Sequence, residues 1–499
     1  MNRLLARTFR FTLVALLGFA TSFAAQPVAQ ATAAAGNGRV FKAGAATSNI
    51  TPWLGDGIVG GWTAPPATQI HDELHARCIV LDDGTTKLGF VVVDSVSVNR
   101  EVFEEAKRQI AEATGFKREN LMMSATHTHS ATSARGASAF VAPSSMSDTN
   151  PPAANLDAYQ TFLAHRISDG VRRAIKNLEP ARIGWGSGQV PGHQFNRRWV
   201  LKDGKTVVNP FGEQDRAVMN PGNRPDLLKP AGPTNPEVYF ISVQSTSGRP
   251  IALLANYWLH YVGGVGGTDI SADYYGAFCD RIQQLLGADR QDPPFVGLLA
   301  NGPCGDVNNI NFAAPAAEKR APYEKIRLVA NDVAEEIMRV RKTIDHRDWV
   351  ELKAAAAELE LAMRHPSPEM VARAQQILAR PATASPVQSR EVIYADRTMA
   401  ATKWPEKLNV PLQAFRIGEL GIAAIPFEVF TETGLELKAR SPFKQQFTIE
   451  LANGGYGYLP TPEQHELGGY ETWLGTNRVE KEATRKIVTK LLELLAQVK

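Results

Sequence analysis

Cysteine is scarce in this chain of 499 residues, and its three cysteines are an odd number. Cys78, Cys279 and Cys304 can form at most one disulfide, which excludes a small scaffold held together by disulfides. None of them has the spacing of a thiolate zinc site. Each lies in an apolar or glycine-rich stretch, so we expect three buried free thiols.

A strong excess of one charge is also absent. The chain has 54 Lys and Arg against 51 Asp and Glu, a formal net charge of +3. No basic patch carries interleaved aromatic residues, so nucleic acid is not an expected partner. The hydrophobic fraction of 44% is typical of a soluble globular protein that can bury a sizeable core.

The apolar run from Phe11 to Phe19 is too short to span a bilayer comfortably. Three arginines within the first ten residues precede it, and the A-x-A cleavage pattern Ala29–Ala31 follows it, with a rival at Ser22–Ala24. We predict a signal peptide over residues 1–31 and a leader or spacer over 32–40. The mature protein would then be periplasmic or secreted, and an uncleaved anchor is the alternative.

In the remaining chain, some segments have the apolar spacing of β-strands and others that of α-helices. Three pairs of apolar segments flanking polar turns predict β-hairpins: 74–81 with 87–94, 237–244 with 251–257, and 410–416 with 421–425. Helical spacing predicts helices over 100–114, 159–177, 275–286, 316–342, 366–379, 431–439 and 478–498. We expect a mixed α/β (α+β) fold, with hairpin-rich sheets and flanking helices in one large catalytic domain over residues 41–499.

A short histidine pair follows the predicted strand 121–126. His127 and His129 are two residues apart, and side chains on an extended segment alternate with period two. Both imidazoles therefore point the same way. They could share a metal ion, or one could bind the metal while the other moves protons. Two ordinary loop histidines are the alternative.

Two further residues that can bind metal follow predicted hairpins. His260 comes after the second hairpin and Glu428 after the third. Zinc needs about four ligands drawn from His, Cys and carboxylates, so several sheet ends could converge on one ion. His260 could instead be a core histidine, and Glu428 could cap a helix. Asp94 and Asp273 are either carboxylates that orient such ligands or structural turn residues.

Seven short motifs, in order, resemble the catalytic domain of the neutral (alkaline, non-lysosomal) ceramidase family from about Phe41 onward. They are 125–130, 195–197, 256–260, 272–274, 305–307, 425–428 and 457–461.

The resemblance implies zinc-dependent hydrolysis of an N-acyl amide. It implies four metal ligands, namely His127, His260, Glu428 and Tyr458. It also implies His129 as the acid/base and Arg197 as the cation that holds a developing oxyanion or an anionic part of the substrate.

The chain departs from the family pattern in two ways. Asn308 stands where the family has an active-site serine, in a loop that reads Gly305–Ile310. Its amide could still donate a hydrogen bond to substrate, so Asn308 is a candidate catalytic residue and, with Arg197, a candidate for substrate binding. We also expect the family's C-terminal immunoglobulin-like domain to be missing, and the insertions at 131–157 and 201–234 to reshape the pocket mouth.

These observations favour an exported zinc hydrolase in which activated water attacks an amide bond of ceramide or a related N-acyl lipid. A ceramidase-like enzyme that cleaves an ester, lactone or sugar derivative is the alternative, because Asn308 replaces the serine. A binding protein without turnover is a third. The expected partner is a small-molecule or lipid substrate, with transient contact to a membrane surface, and the oligomeric state stays open.

Overall fold

A computed structural model of the chain describes residues 39–132, 134, 156–314, 319–381 and 389–499. The predicted signal peptide, nearly all of the spacer and most of the loop at 131–157 lie outside these residues. The described α-helices are α1 (Arg100–Thr114), α2 (Ala158–Lys176), α3 (Asp273–Leu285), α4 (Glu324–Arg341), α5 (Pro368–Leu378), α6 (Arg390–Ala401), α7 (Thr431–Arg440), α8 (Pro462–Leu467) and α9 (Ala483–Val498). Short 3-10 helices cover Arg118–Asn120 and Tyr470–Thr472.

The described residues also form strands of two to eleven residues. They are β1 (Lys42–Asn49), β2 (Ile58–Val59), β3 (Gln69–Ile70), β4 (His75–Asp82), β5 (Lys87–Val93), β6 (Leu121–Ala125), β7 (Ala131–Thr132), β8 (Glu179–Gln189), β9 (Phe195–Asn196), β10 (Arg198–Leu201), β11 (Val207–Val208), β12 (Gln214–Asp215), β13 (Ala217–Met219), β14 (Leu227–Pro230), β15 (Glu237–Ser245), β16 (Pro250–Tyr257), β17 (Asp269–Ile270), β18 (Val296–Asn301), β19 (Val307–Asn308), β20 (Leu352–Ala362), β21 (Lys407–Ile417), β22 (Leu420–Ala424), β23 (Glu428–Val429), β24 (Gln445–Ile449) and β25 (Tyr458–Leu459).

Two sheets enclose the central core. The larger has eight strands in the order β18-β16-β15-β8-β1-β4-β5-β6, and the smaller has the order β20-β21-β22-β24. Strands β1 and β8 pair at only two positions, and β16 also contacts β1. Phe90 of the large sheet meets Phe415 of the small one, with ring centroids 5.2 Å apart.

Alternation along the strands decides which side chains face which layer. In β4, Ile79 and Leu81 point into the core between the sheets, whereas Cys78 and Val80 pack under α1 and α2. The same alternation in β16 and β21 creates outer cores covered by α3 and α4, and by α7 and α9. The predicted mixed α/β fold of hairpins with flanking helices is therefore confirmed.

The three hairpins are present as β4–β5, β15–β16 and β21–β22. The long helix predicted over 316–342 begins only at Glu324. Tyr323 before it has a φ of 62°, a left-handed conformation that cannot continue a right-handed helix. Helices α6 and α8 are absent from the prediction. All three cysteines are buried and free, as predicted.

Among the described residues, no helix combines the length and apolarity needed to cross a membrane.

Candidate metal centre and active site

His127 lies just beyond the end of β6, held in a strained backbone. Its φ is 72°, and its backbone N–H donates to the Ser95 carbonyl at 2.9 Å. Its ring Nδ1 lies 2.6 Å from the Val96 carbonyl oxygen. Because a carbonyl only accepts, Nδ1 carries the hydrogen and Nε2 keeps a free lone pair.

His260 follows β16 and is fully buried. Its Nδ1 lies 3.2 Å from the Cys304 carbonyl oxygen, so its Nε2 also carries a lone pair. The Nε2 atoms of His260 and His127 are only 2.9 Å apart. Two lone pairs cannot hydrogen bond to each other, whereas a cation between them would bind both. This donor arrangement fits a divalent metal ion.

Glu428 and Tyr458 are brought side by side by the parallel pair β23–β25, in which they are register partners. The Oε2 atom of Glu428 lies 3.3 Å from His127 Nε2 and 3.9 Å from His260 Nε2. This Oε2 is buried and has no hydrogen-bond partner among the described residues. A buried carboxylate oxygen without a hydrogen-bond partner is a further ligand for a cation.

His129 completes a group of three histidines whose ligand nitrogens all lie within 4.8 Å of one another. Its Nε2 is 3.0 Å from His127 Nε2, and its ring stacks on Tyr261 with centroids 3.8 Å apart. On the other side it meets Gly60, which has a φ of 127°; a Cβ there would lie 2.6 Å from the His129 ring. Burial, then the neighbouring His127 and Arg197, lowers the pKa of His129 well below its usual value.

Arg197 approaches the same cluster from the strand pair β9–β19. Its Nη1 lies 3.3 Å from His260 Nε2, and its Nε donates to Glu471 Oε1 at 3.0 Å. The second oxygen of Glu471 accepts from Arg198 Nη1 at 2.6 Å. Arg197 Nη2 is buried and has no hydrogen-bond partner among the described residues. The guanidinium of Arg197 is therefore anchored by Glu471, and its Nη2 group can donate a hydrogen bond to a ligand beside the histidines.

Asn308 is placed differently from the other candidates. Its Nδ2 donates to Asn220 Oδ1 at 2.8 Å, and its Oδ1 accepts from the Ile310 backbone N–H at 2.9 Å. Both polar groups of the side chain therefore already have protein partners. Its role in catalysis or substrate binding stays a prediction.

The two aspartates weighed from the sequence bind elsewhere. Asp94 is fully buried, pairs with Arg77 and accepts from the His75 backbone N–H at 2.9 Å. Asp273 accepts from the backbone N–H groups of Val262 and Gly263 at 3.0 and 2.8 Å. Asp273 therefore fixes the loop that follows His260, which is a structural role.

A cavity of about 960 Å³ reaches the cluster, and His127, His129, Glu428 and Tyr458 form part of its wall. Over it lies a hairpin at residues 55–67, which also lines the cavity. Its Ile58 N–H donates to the Pro65 carbonyl at 2.8 Å. Trp62 at the hairpin tip packs edge-on against Tyr470, with centroids 5.9 Å apart.

The structure thus brings together all six predicted histidine, carboxylate, phenol and guanidinium groups. His127, His129, His260, Glu428 and Tyr458 form the cluster, and Arg197 contacts His260. Sequence reasoning missed the supports of this cluster, Glu471, Tyr261 and Gly60. The adjacent glycines at 60 and 61 are a turn signal that could have pointed to the hairpin.

Comparisons with known proteins agree with this architecture. A family model described as "Neutral/alkaline non-lysosomal ceramidase, N-terminal" matches residues 41–322. The fold is similar to the crystal structure of neutral ceramidase from Pseudomonas aeruginosa, with a TM-score of 0.67 and 16% identity over 93% of this chain and 75% of that chain. A structure described as ceramidase complexed with C2 is similar at a TM-score of 0.67 and 16% identity, over 92% of this chain and 75% of that one. The chain belongs to the neutral/alkaline non-lysosomal ceramidase family.

Proposed function

We propose that this protein is a zinc-dependent hydrolase that cleaves the amide bond of a small N-acyl substrate, such as ceramide or a related lipid. The observation that carries the proposal is the pair of Nε2 atoms of His127 and His260, 2.9 Å apart with both Nδ1 atoms facing carbonyl oxygens. Family membership supports hydrolysis of an amide bond. The donor set supports a metal.

The residues that would hold the ion are His127, His260 and Glu428, with Tyr458 beside Glu428. Zinc bound there would lower the pKa of water to about 7 and polarise a carbonyl oxygen. The buried cavity wall would exclude bulk water from the amide and strengthen each electrostatic contact.

The protein's own groups would supply the remaining steps. Arg197 Nη2 would donate to the amide oxygen as negative charge develops on it. His129 Nε2 would accept a proton from the attacking water. After the carbonyl carbon–nitrogen bond breaks, it would return that proton to the leaving amine, giving a carboxylic acid and an amine.

The contacts of Asn308 favour water, rather than a side chain, as the nucleophile. An asparagine has no nucleophilic oxygen, and this one is held by Asn220 and Ile310. A panel of ceramide, polar N-acyl amides and the matching esters would establish the bond that is cleaved. Cleavage of the esters alone would support the alternative ester hydrolase, and metal-loaded protein inactive on the whole panel would support a binding protein.

Metal analysis of the purified protein tests the centre directly. We expect about one zinc per chain in the wild type and a loss of metal in His260→Ala. His365→Ala, at a partly exposed histidine near Glu406, is the matched control and should keep the metal. A wild type without stoichiometric metal, after growth with added zinc, would refute the proposal.

The variant His129→Gln separates the two roles open to that residue. If His129 is the acid/base, the variant keeps its zinc and loses about 10²–10⁴-fold in kcat. If it is a ligand, zinc content falls together with activity.

Export is the part of the proposal that rests on the N-terminal sequence alone. N-terminal sequencing of protein recovered from the periplasm or medium should show cleavage after residue 31. Recovery of the full-length chain from the membrane fraction would instead support the uncleaved anchor.

A further inference from the structure

Helix α6 turns two arginine side chains toward Trp62 of the hairpin over the cavity. Arg390, Tyr394 and Arg397 are spaced four and three residues apart, which places them on one helix face. The Arg397 guanidinium carbon lies 4.7 Å from the Tyr394 ring centroid and 6.0 Å from that of Trp62. The Arg390 guanidinium carbon lies 5.4 Å from the same Trp62 centroid. This face is both cationic and aromatic.

Two arginines, Arg397 and Arg478, line the same cavity as the histidine cluster, and the Arg478 guanidinium carbon also lies 5.9 Å from the Trp404 ring centroid. Arg397 Nη1 donates to Thr476 Oγ1 at 3.4 Å. Gly475, with a φ of 93°, allows the turn to close on Arg397, because a Cβ there would lie 3.0 Å from the Arg397 Cβ. The wall formed by α6 and the turn before Arg478 is therefore built around these arginines. We call it the arginine wall.

Carboxylates also line the cavity, but the structure gives two of them other roles. Glu428 belongs to the histidine cluster. Asp157 caps α2, accepting from the Gln160 backbone N–H at 2.8 Å. The third, Asp56, is on the segment that leads into the overlying hairpin, where its N–H donates to the Trp53 carbonyl at 3.2 Å. Two of the three lining carboxylates thus have other contacts, and both lining arginines belong to the arginine wall.

The arginine wall and the candidate metal centre are linked through a chain of aromatic rings. Trp62 packs on Tyr470, and Tyr470 packs on Tyr458 with centroids 5.7 Å apart. A cavity of about 960 Å³ is within the usual range for a site that encloses one small ligand. A single substrate can therefore contact the histidines at one end and the arginines at the other.

We infer that Arg397 and Arg478 bind an oxyanion on the substrate, a carboxylate, phosphate or sulfonate, while its amide faces the histidine cluster. This deepens the proposed function and rests on it for the reacting bond. Guanidinium groups suit the task because their planar N–H donors pair with two oxygens at once. Among the N-acyl substrates of the proposed function, this favours a related compound that carries an acidic group over neutral ceramide.

Binding of small amides to the full chain tests the oxyanion site. A chelator prevents turnover and prevents the ligand carboxylate from binding to a metal ion. Four amides share an octanoyl chain: N-octanoylglycine, N-octanoyltaurine, N-octanoylethanolamine phosphate and the neutral N-octanoylethanolamine. A second pair, N-hexylglutaramate and N-hexylpentanamide, places the anion on the acyl side. Isothermal titration calorimetry gives each Kd, and the first three amides distinguish the three oxyanions.

We expect at least one anionic amide to bind roughly tenfold or more tightly than its neutral partner, as a charged hydrogen-bonded pair allows. The preference should disappear in Arg397→Gln/Arg478→Gln. It should persist in Arg397→Lys, which keeps the charge, and in Arg485→Gln, an exposed control on α9. If the double variant does not fold, the preference for anionic amides can still be compared between Arg397→Lys and the single variant Arg397→Gln.

Equal affinity for anionic and neutral amides would overturn the inference, and so would a preference that survives in the double variant. Turnover by the zinc-loaded protein separates this result from the proposed function. Anionic amides that bind selectively and are never cleaved would refute amide hydrolysis and leave the arginine wall standing. Cleavage of neutral amides, with no preference for anionic amides in Kd or KM, would support amide hydrolysis and refute oxyanion binding by the arginine wall.

Discussion

Glu471→Gln would test whether one buried carboxylate holds together the cationic side of the site. Its two oxygens accept from Arg197 Nε at 3.0 Å and from Arg198 Nη1 at 2.6 Å. The side chains of Glu471 and Arg198 are fully buried, and that of Arg197 is 6% exposed. Glutamine keeps the shape of the side chain but removes the negative charge that lies between two guanidinium groups.

The expected cost follows from this burial. Removing one partner of a buried ion pair destabilises a protein by about 3–5 kcal/mol, because the other charge is left uncompensated. Glutamine still offers one accepting oxygen, so we expect a loss of about 3 kcal/mol in the free energy of unfolding. Because Arg197 also loses its anchor beside His260, kcat for the amide substrate should fall as well.

Equilibrium unfolding in urea, followed by tryptophan fluorescence, measures the change. Glu463→Gln is the matched control: its partner is Arg485, and their side chains are 70% and 60% exposed. An exposed pair of this kind should change stability by less than about 0.5 kcal/mol. A loss below about 1 kcal/mol in Glu471→Gln would refute the reasoning. An unchanged kcat would refute the positioning of Arg197.

Three further predictions concern the cluster, its overlying hairpin and acid stability. Gly60→Ala should displace His129 and lower kcat more than tenfold, because the new Cβ would lie 2.6 Å from the His129 ring. Gly61→Ala is the control, since the atom nearest to its new Cβ would be 3.7 Å away. Equal activities of the two variants would contradict this prediction. Zinc at 100 times its Kd should raise the free energy of unfolding by about 2.7 kcal/mol over the chelated protein, and an unchanged Tm would argue against a metal centre. Burial, then Arg364, lowers the pKa of His465 to about 3, so the unfolded state binds a proton first as pH falls. Stability should therefore decline as pH falls from about 6.5 to 3, by up to about 1.4 kcal/mol per pH unit. In His465→Gln, the free energy of unfolding measured in urea should depend less on pH over that window. An unchanged pH dependence would exclude His465 as the cause.

Local patterns were enough for the strands that lead to His127 and His260, but not for the short strand pairs that carry Glu428 and Tyr458 and flank Arg197. The Asp83-Gly84 turn between apolar segments predicts the β4–β5 hairpin, because the turn and the alternation are properties of neighbouring residues. The His-x-His spacing likewise identifies His127 and His129. That these residues meet His260 and Glu428 was suggested only by strand ends and family motifs, since no local rule joins residues more than a hundred positions apart.

The fold class, the hairpins and the side-chain types available for metal chemistry are predictable from the sequence, because they depend on short-range periodicity and composition. Three contacts of the site emerge only in the folded chain: Glu471 supports Arg197 across 274 positions, Asn308 bonds to Asn220 across 88, and α6 brings Arg397 to the cavity. Such contacts are chosen by how whole sheets and helices pack. The identity of a side chain does not reveal its partner until that packing brings the two together.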